Sequence, residues 1–166
     1  MQPLMVVAPA FAEMANDMVY CTLTTIDRQG RPRARIVHTM WEWDGEKLVG
    51  WVGSLVTPMK TAHLKNNPYV SCNYWDGAER YDTCVAECRA ELLLDEESRV
   101  GGWERFKAVP PPLGYDPGII PHWKAGPTSP QWGVMRLDPW RLRVFPGVFA
   151  LTGGAEGEIL TWQRDD

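Results

Sequence analysis

The chain has 166 residues, 45% of them hydrophobic and 23% charged, a composition that describes one globular domain over 1–166 and excludes disorder. Its 17 basic and 21 acidic residues give a formal charge of -4, without the basic excess or stripe that marks a nucleic-acid binder. No run reaches membrane-spanning length, and the apolar start lacks the positive region of a signal peptide, so a cytoplasmic protein is expected.

Phe11 to Asp17 is predicted as a short helix, because Phe11, Met14, Ala15 and Met18 fall on one side. Val19 to Ile26 reads as a strand rich in β-branched residues, followed by turn chemistry in Asp27-Arg28-Gln29-Gly30. A second strand is predicted from Arg33 to Trp43, and Asp44-Gly45 turns the chain onto a third, Lys47 to Val52, completing an antiparallel meander. Thr57-Pro58 places an N-cap before a proline at the first helical position, and Asn67-Pro68 stops that helix after Asn66. Tyr69 to Trp75 and Arg80 to Leu94 follow as strands; in the second, Cys84, Ala86, Cys88 and Ala90 alternate with Val85, Glu87, Arg89 and Glu91. Asp95 opens another helix, with Glu96 and Glu97 suited to its positive end. Val109 to Pro130 is a long proline-rich segment that carries Tyr115, His122 and Trp123. Its aromatics, Tyr115 and Trp123, need an apolar surface such as a cleft mouth, which predicts an ordered cover that shapes a substrate pocket with Trp123 and His122 toward the substrate; the alternative is a packed strap on the far side of the barrel. Gln131 to Leu137 and Trp140 to Phe145 are predicted as a hairpin around Asp138-Pro139, with a last strand at Ile159 to Gln163. Many strands with few short helices predict a mainly β fold, a β-barrel with appended helices.

Four cysteines occur without a CxxC pair, and Cys84 and Cys88 lie about 13 Å apart on one strand, too far for a disulfide. Free buried thiols in a reducing compartment are expected. Nine tryptophans, against about two or three by average usage, suit a ligand cleft or a subunit interface. His38, His63 and His122 are spread too widely for a metal site, and no P-loop, Rossmann or nucleophile-elbow motif is present. His63 reads as a surface or packing residue, and His38 as a packed strand histidine. Two segments carry ligand chemistry. One is the basic stretch Arg31-Pro32-Arg33-Ala34-Arg35 leading into Ile36-Val37-His38; the other is the helix start Thr57-Pro58-Met59-Lys60. Arginine grips a phosphate bidentately, lysine adds a point charge, and a helix N-terminus adds free N–H groups. Brought together, they make a monophosphate cradle.

The order of these segments resembles the pyridoxamine-phosphate-oxidase-like flavoproteins. The resemblance rests on Cys21-Thr22-Leu23-Thr24-Thr25-Ile26-Asp27, Gly30-Arg31-Pro32, Arg35-Ile36-Val37, Leu48-Val49-Gly50-Trp51-Val52, Lys60 with Leu64-Lys65-Asn66-Asn67-Pro68, and the strands around Cys72 and Cys88. It implies a six-stranded antiparallel split β-barrel that works as a homodimer, with FMN in each of two clefts at the interface and a small-molecule substrate. Arg35 and Lys60 would bind the phosphate, helped by Thr57. Ile36, Val37 and His38 would lie along the ring and ribityl chain, with Trp51, Val52 and Gly53 on the neighbouring strand. Thr83 would reach flavin from the other subunit. Where the family helix often begins Ser-Arg-Lys, this chain has Pro58-Met59-Lys60, so one cation is missing and Arg31 or Arg33 stands in for it. Trp140-Arg141-Leu142-Arg143 departs from the substrate-arginine pattern of the true oxidases, so vitamin B6 oxidation is not expected. An FMN-dependent oxidoreductase is the first expectation. The alternatives are an F420-dependent reductase, whose larger tail calls for a longer basic groove than the sequence displays, and a non-catalytic flavin or haem module.

Overall fold

The computed structural model describes residues 1–165. Helix α1 (Leu4–Met18) precedes β1 (Tyr20–Ile26), β2 (Pro32–His38), β3 (Met40–Trp43) and β4 (Leu48–Leu55). Helix α2 (Pro58–Asn66), β5 (Tyr69–Trp75), β6 (Thr83–Leu93) and α3 (Glu96–Ala108) follow, then β7 (Trp132–Phe145), α4 (Gly147–Leu151) and β8 (Leu160–Gln163). The strands form one antiparallel sheet in the order β2-β1-β5-β6-β7-β4-β3, with β8 added beside β7. The fold is the expected mainly β split barrel, with eight strands rather than six.

One extra strand comes from a break in the predicted second strand. Thr39 is buried, and both its N–H and its hydroxyl donate to the Val19 carbonyl, at 3.0 and 3.1 Å. The Tyr74 hydroxyl, 2.6 Å from Thr39 Oγ1, takes the Trp41 indole N–H at the same distance. This knot turns the chain from β2, which pairs with β1, to β3, which pairs with β4 at the opposite end of the sheet. The sheet curls until its ends approach, and β2 touches β4.

The predicted hairpin at Asp138-Pro139 is instead one continuous strand. The β6/β7 register shifts between Glu87 and Cys88, so Glu87 faces Arg141, Cys88 faces Pro139 and Trp140 bulges between them. A bulge tolerates a residue with no N–H to offer, so the proline bends the strand without reversing it. The first helix is also longer than predicted and contains Pro9. The stripe Val7, Ala8, Phe11, Ala12 and Ala15 is buried against the barrel, with Phe11 edge-on to Trp41 at 5.0 Å and to Tyr74 at 6.0 Å. That burial outweighs the lost hydrogen bond. β4 runs past Val52 because Gly53, Ser54 and Leu55 pair with β7, and β6 starts at Thr83 because Tyr81 adopts a positive φ of 58°.

The interior alternates as predicted: Cys84, Ala86, Cys88 and Ala90 point inward, and all four cysteines are free and buried. A second aromatic cluster of Met40, Trp103, Phe106, Trp123, Trp132 and Val134 lies outside the barrel, beneath α3 and the proline-rich segment. None of the described helices is long and apolar enough to cross a membrane.

Candidate functional site

The β1/β2 register sets Leu23 opposite Arg35 and Cys21 opposite Val37, so Arg33, Arg35 and Val37 share the inward face of β2. Ile36 and His38 take the outward face, where Ile36 is 68% exposed. β2 pairs with β1 alone, and the end of β4 beyond Trp51 pairs with β7 alone. Two unpaired edges therefore face each other across a split, and their free N–H and C=O groups can meet a ligand.

Helix α2 begins at this split. Thr57 caps it, accepting the Lys60 N–H at 3.2 Å, and Pro58 occupies its first turn. Lys60 Nζ donates to Ser54 Oγ on β4 at 2.9 Å. From the other side, Arg35 Nη1 donates to Thr25 Oγ1 at 3.1 Å, and Thr25 Oγ1 lies 3.4 Å from Nδ1 of the buried His63 on α2. Burial lowers the pKa of Lys60, and the charge of Arg35 lowers it further. Burial, then Arg33, likewise lowers that of Arg35. Neither cation is paired with a carboxylate among the described residues. Partly desolvated cations held together without counter-charge are unfavourable, and a bound dianion relieves both the repulsion and the missing hydrogen bonds.

The proline-rich segment is ordered and straps the outer side of the split. His38 Nε2 lies 2.6 Å from the Leu113 carbonyl and so donates to it, while burial lowers the pKa of the imidazole and this bond opposes the shift. Tyr115 packs on His38 at 4.6 Å and on Phe106 at 5.1 Å between ring centroids. Gly53 has to be glycine here, since a Cβ would come within 2.5 Å of the Tyr115 hydroxyl and 2.9 Å of the Trp132 ring. The strap thus grips β2 through His38 and β4 through Gly53. Trp123 is buried against Trp132 at 4.6 Å and donates to the Gln131 carbonyl at 3.1 Å. It anchors the strap, while His122 is exposed. Tyr115 is the strap residue at the split, and within one chain Trp123 packs on Trp132 instead.

Of the predicted residues, Arg35, Thr57 and Lys60 come together, and Val37 shares their face of β2. Val52 is buried in the barrel core instead. Trp51 is turned outward, its Nε1 donating to Glu42 at 2.8 Å beneath the Arg105 guanidinium at 4.1 Å. Thr83 lies at the far end of β6 from Leu93, about 33 Å along the strand, and α2 contacts the Leu93 end. Within one chain Thr83 does not join the cradle. Sequence reasoning missed Thr25 and Ser54 and read His63 only as a surface or packing residue, whereas Tyr115 lies at the split as its need for an apolar surface suggests. Hairpin register alone points to Thr25, which sits opposite Arg33; the other three meet the site only through tertiary packing. Among the described residues, no His, Cys, Asp or Glu cluster could hold a metal ion.

The fold is a split antiparallel barrel in which a β2 arginine and an α2 lysine, neither paired with a carboxylate among the described residues, meet at the split. The chain belongs to the pyridoxamine 5'-phosphate oxidase family, whose sequence profile matches residues 7–144. No curated protein sequence matches it. Among solved structures, a pyridoxamine 5'-phosphate oxidase-related, FMN-binding protein from Nostoc punctiforme superposes with a TM-score of 0.67 at 16% identity, over 100% of this chain and 93% of that one. A haem-binding protein from Mycobacterium smegmatis gives 0.59 at 13% identity, over 98% of this chain and 59% of that one. An F420 reductase gives 0.56 at 14% identity, over 80% and 94% respectively. At these identities the likeness establishes the fold.

Proposed function

We propose that the chain binds FMN in the split between β2 and β4 and acts as an FMN-dependent oxidoreductase on a small molecule. The observation that carries this reading is the Arg35 and Lys60 pair, half-buried at the start of α2 with no carboxylate beside it. The phosphate of FMN would take Arg35, Lys60 Nζ and the N–H of Met59, since Pro58 has no N–H and Thr57 already accepts those of Lys60 and Thr61. Thr25 and Ser54 hold the two cations in place, and His63 holds Thr25. Val37 and the free edges of β2 and β4 would flank the ribityl chain and ring. Bound flavin supplies hydride and electron transfer, while the protein orients it, tunes it and limits water. Tyr115 and the strap close the outer side.

The working form on this reading is a homodimer. The outward face of β1, β2 and β5 exposes Tyr20 at 60%, Ile36 at 68% and Trp75 at 72%. Trp75 is registered with Thr83 on β6, so pairing two chains through this face would carry Thr83 toward the partner's cleft. Such an interface is expected to bury above about 2,000 Å². Trp75→Glu then yields a monomer by light scattering, with loss of cofactor.

Mass spectrometry of the small molecule released on denaturation tests the cofactor directly. FMN is the expected result; haem, or no flavin, overturns the reading. Pyridoxamine phosphate is not the expected substrate. Arg141 is held by Glu87 at 3.2 Å, and Arg143 lies over Phe145 at 5.4 Å. Turnover below about 10⁴ M⁻¹s⁻¹ is expected.

A further inference from the structure

The start of α2 carries Lys60 but no second cation, since Pro58 and Met59 precede it. Arg31 and Arg33 lie close, yet both are held by Asp27. Its carboxylate takes Arg31 Nε at 2.9 Å and stands 3.8 Å from Arg33 Nη1. The same buried carboxylate accepts the backbone N–H groups of Gln29 and Arg31, at 2.9 Å each, which fixes it in the β1/β2 turn. The donor that remains is His63. It follows Lys60 by one turn on the same side of α2 and is only 7% exposed. Its ring lines a groove of about 390 Å³ between α2 and the β1/β2 turn, beside Pro58 and Met59.

The hydrogen bonds around Thr25 decide which ring nitrogen carries the proton. A guanidinium can only donate, so the Thr25 hydroxyl oxygen accepts Arg35 Nη1 at 3.1 Å. Its single proton is left for His63 Nδ1, 3.4 Å away, and Nδ1 is then the bare nitrogen. The ring proton goes to Nε2. Thr25 is fully buried, so the ring edge turned away from it, which includes Nε2, is the edge that meets the groove. Nε2–H has no partner among the described residues, and a donor left unmade in a buried side chain is costly. Arg35 and His63 reach one oxygen from two sides, and Lys60 and Met59 lie within a turn of His63, so these groups surround a place for one tetrahedral anion. We propose that His63 Nε2–H is a phosphate-binding group of the cradle, in the place of the cation missing from the helix start. The inference rests on the FMN reading of the split and adds a neutral donor to it. A third full charge here would add to the repulsion between Lys60 and Arg35. A neutral N–H gives the phosphate a further hydrogen bond without that penalty.

Ligand-free protein is titrated with FMN and with riboflavin by fluorescence, as wild type and as the His63→Ala, His63→Gln and His63→Asn variants, with thermal melts confirming that all are folded. A glutamine amide N–H falls where Nε2–H stood, whereas an asparagine amide reaches only as far as Nδ1. Alanine is expected to weaken FMN about tenfold or more, the scale of one hydrogen bond to a charged group, and to leave riboflavin unchanged. Glutamine is expected to restore FMN to within about threefold of wild type, and asparagine to stay as weak as alanine. In nitrogen NMR of the wild type in mild alkali, His63 is expected to carry its proton on Nε2, and that resonance to move when inorganic phosphate is added. Rescue by asparagine and not by glutamine overturns the proposal, leaving His63 as a residue that only positions Thr25 and Arg35. Equal FMN affinity in every form also overturns it and leaves the FMN reading standing. So does a loss of riboflavin that matches the loss of FMN. An Nε2 resonance that phosphate does not move overturns it without recourse to any variant. A wild type that binds neither flavin nor phosphate overturns this proposal and the FMN reading together.

Discussion

Arg80 lines an open cavity, Arg35 lies two residues along β2 from Arg33, which lines another, and the chain treats the two cations in opposite ways. Arg80 is bonded to Asp17, Asp76 and Asp82, which together raise its pKa. Arg35 meets one hydroxyl, and burial, then the charge of Arg33, lowers its pKa. The cavity beside Arg80 is the larger, about 610 Å³ against 390 Å³ for the groove beside the cradle. Volume is therefore the poorer guide to the site. A cation neutralised by its own chain ties down structure, here α1 to the β5/β6 turn. On the proposed reading, one left without counter-charge at an open edge receives its counter-charge from a ligand.

That contrast breaks first at Arg35. Replacing it with alanine is expected to weaken FMN by roughly 1.5–3 kcal/mol, the scale of a hydrogen bond to a charged group. Titration calorimetry measures this, and riboflavin, which lacks the phosphate, should bind equally well to both forms. Lys60→Ala should cost less, about 1.5 kcal/mol, since lysine offers a point charge without the bidentate fork.

A pH series sharpens the comparison. FMN affinity should rise through a pH of about 6, where the phosphate takes its second charge. It should fall again in alkali as Lys60, depressed below 10.5, loses its proton. The same depression sets the stability of the ligand-free protein. A lysine whose folded pKa lies below its unfolded value binds fewer protons when folded, so its penalty is full at neutral pH. The penalty fades as pH rises from the folded value to 10.5. Lys60→Arg should remove the alkaline limb of the affinity profile. The smallest effect is expected at Arg80, where alanine should leave FMN affinity unchanged and lower the melting temperature modestly.

Much of this was legible in the sequence where local rules and tertiary packing agree. Thr57-Pro58 marks the start of α2, Asp95 caps α3 by accepting the Ser98 N–H, and the alternation from Cys84 to Ala90 marks an inward face. Arg35 and Lys60 were legible as a pair because each sits at a position with recognisable local chemistry. The sequence misleads where a distant partner compensates for a broken local rule. Pro139 is accommodated by the register shift opposite Glu87, Pro9 by the burial of Phe11, and Thr39 by the hydroxyl of Tyr74. Ser54 and the contact of His63 with Thr25 were hidden for the same reason. Nothing near them in the chain shows that β4, α2 and the strap converge.

The pairing of β4 with β7 bears on how the protein is made. Gly50 is paired in register with Leu137, 87 residues further along, while the β1/β2 and β3/β4 hairpins are local. Loop closure over such a span costs entropy before any contact repays it, so the local hairpins should form early and this seam late. A nascent chain that has emerged only as far as β6 leaves both β4 and β6 with an open edge awaiting β7, free to pair with neighbouring chains. The last third of the polypeptide thus decides whether the first two thirds stay soluble during synthesis.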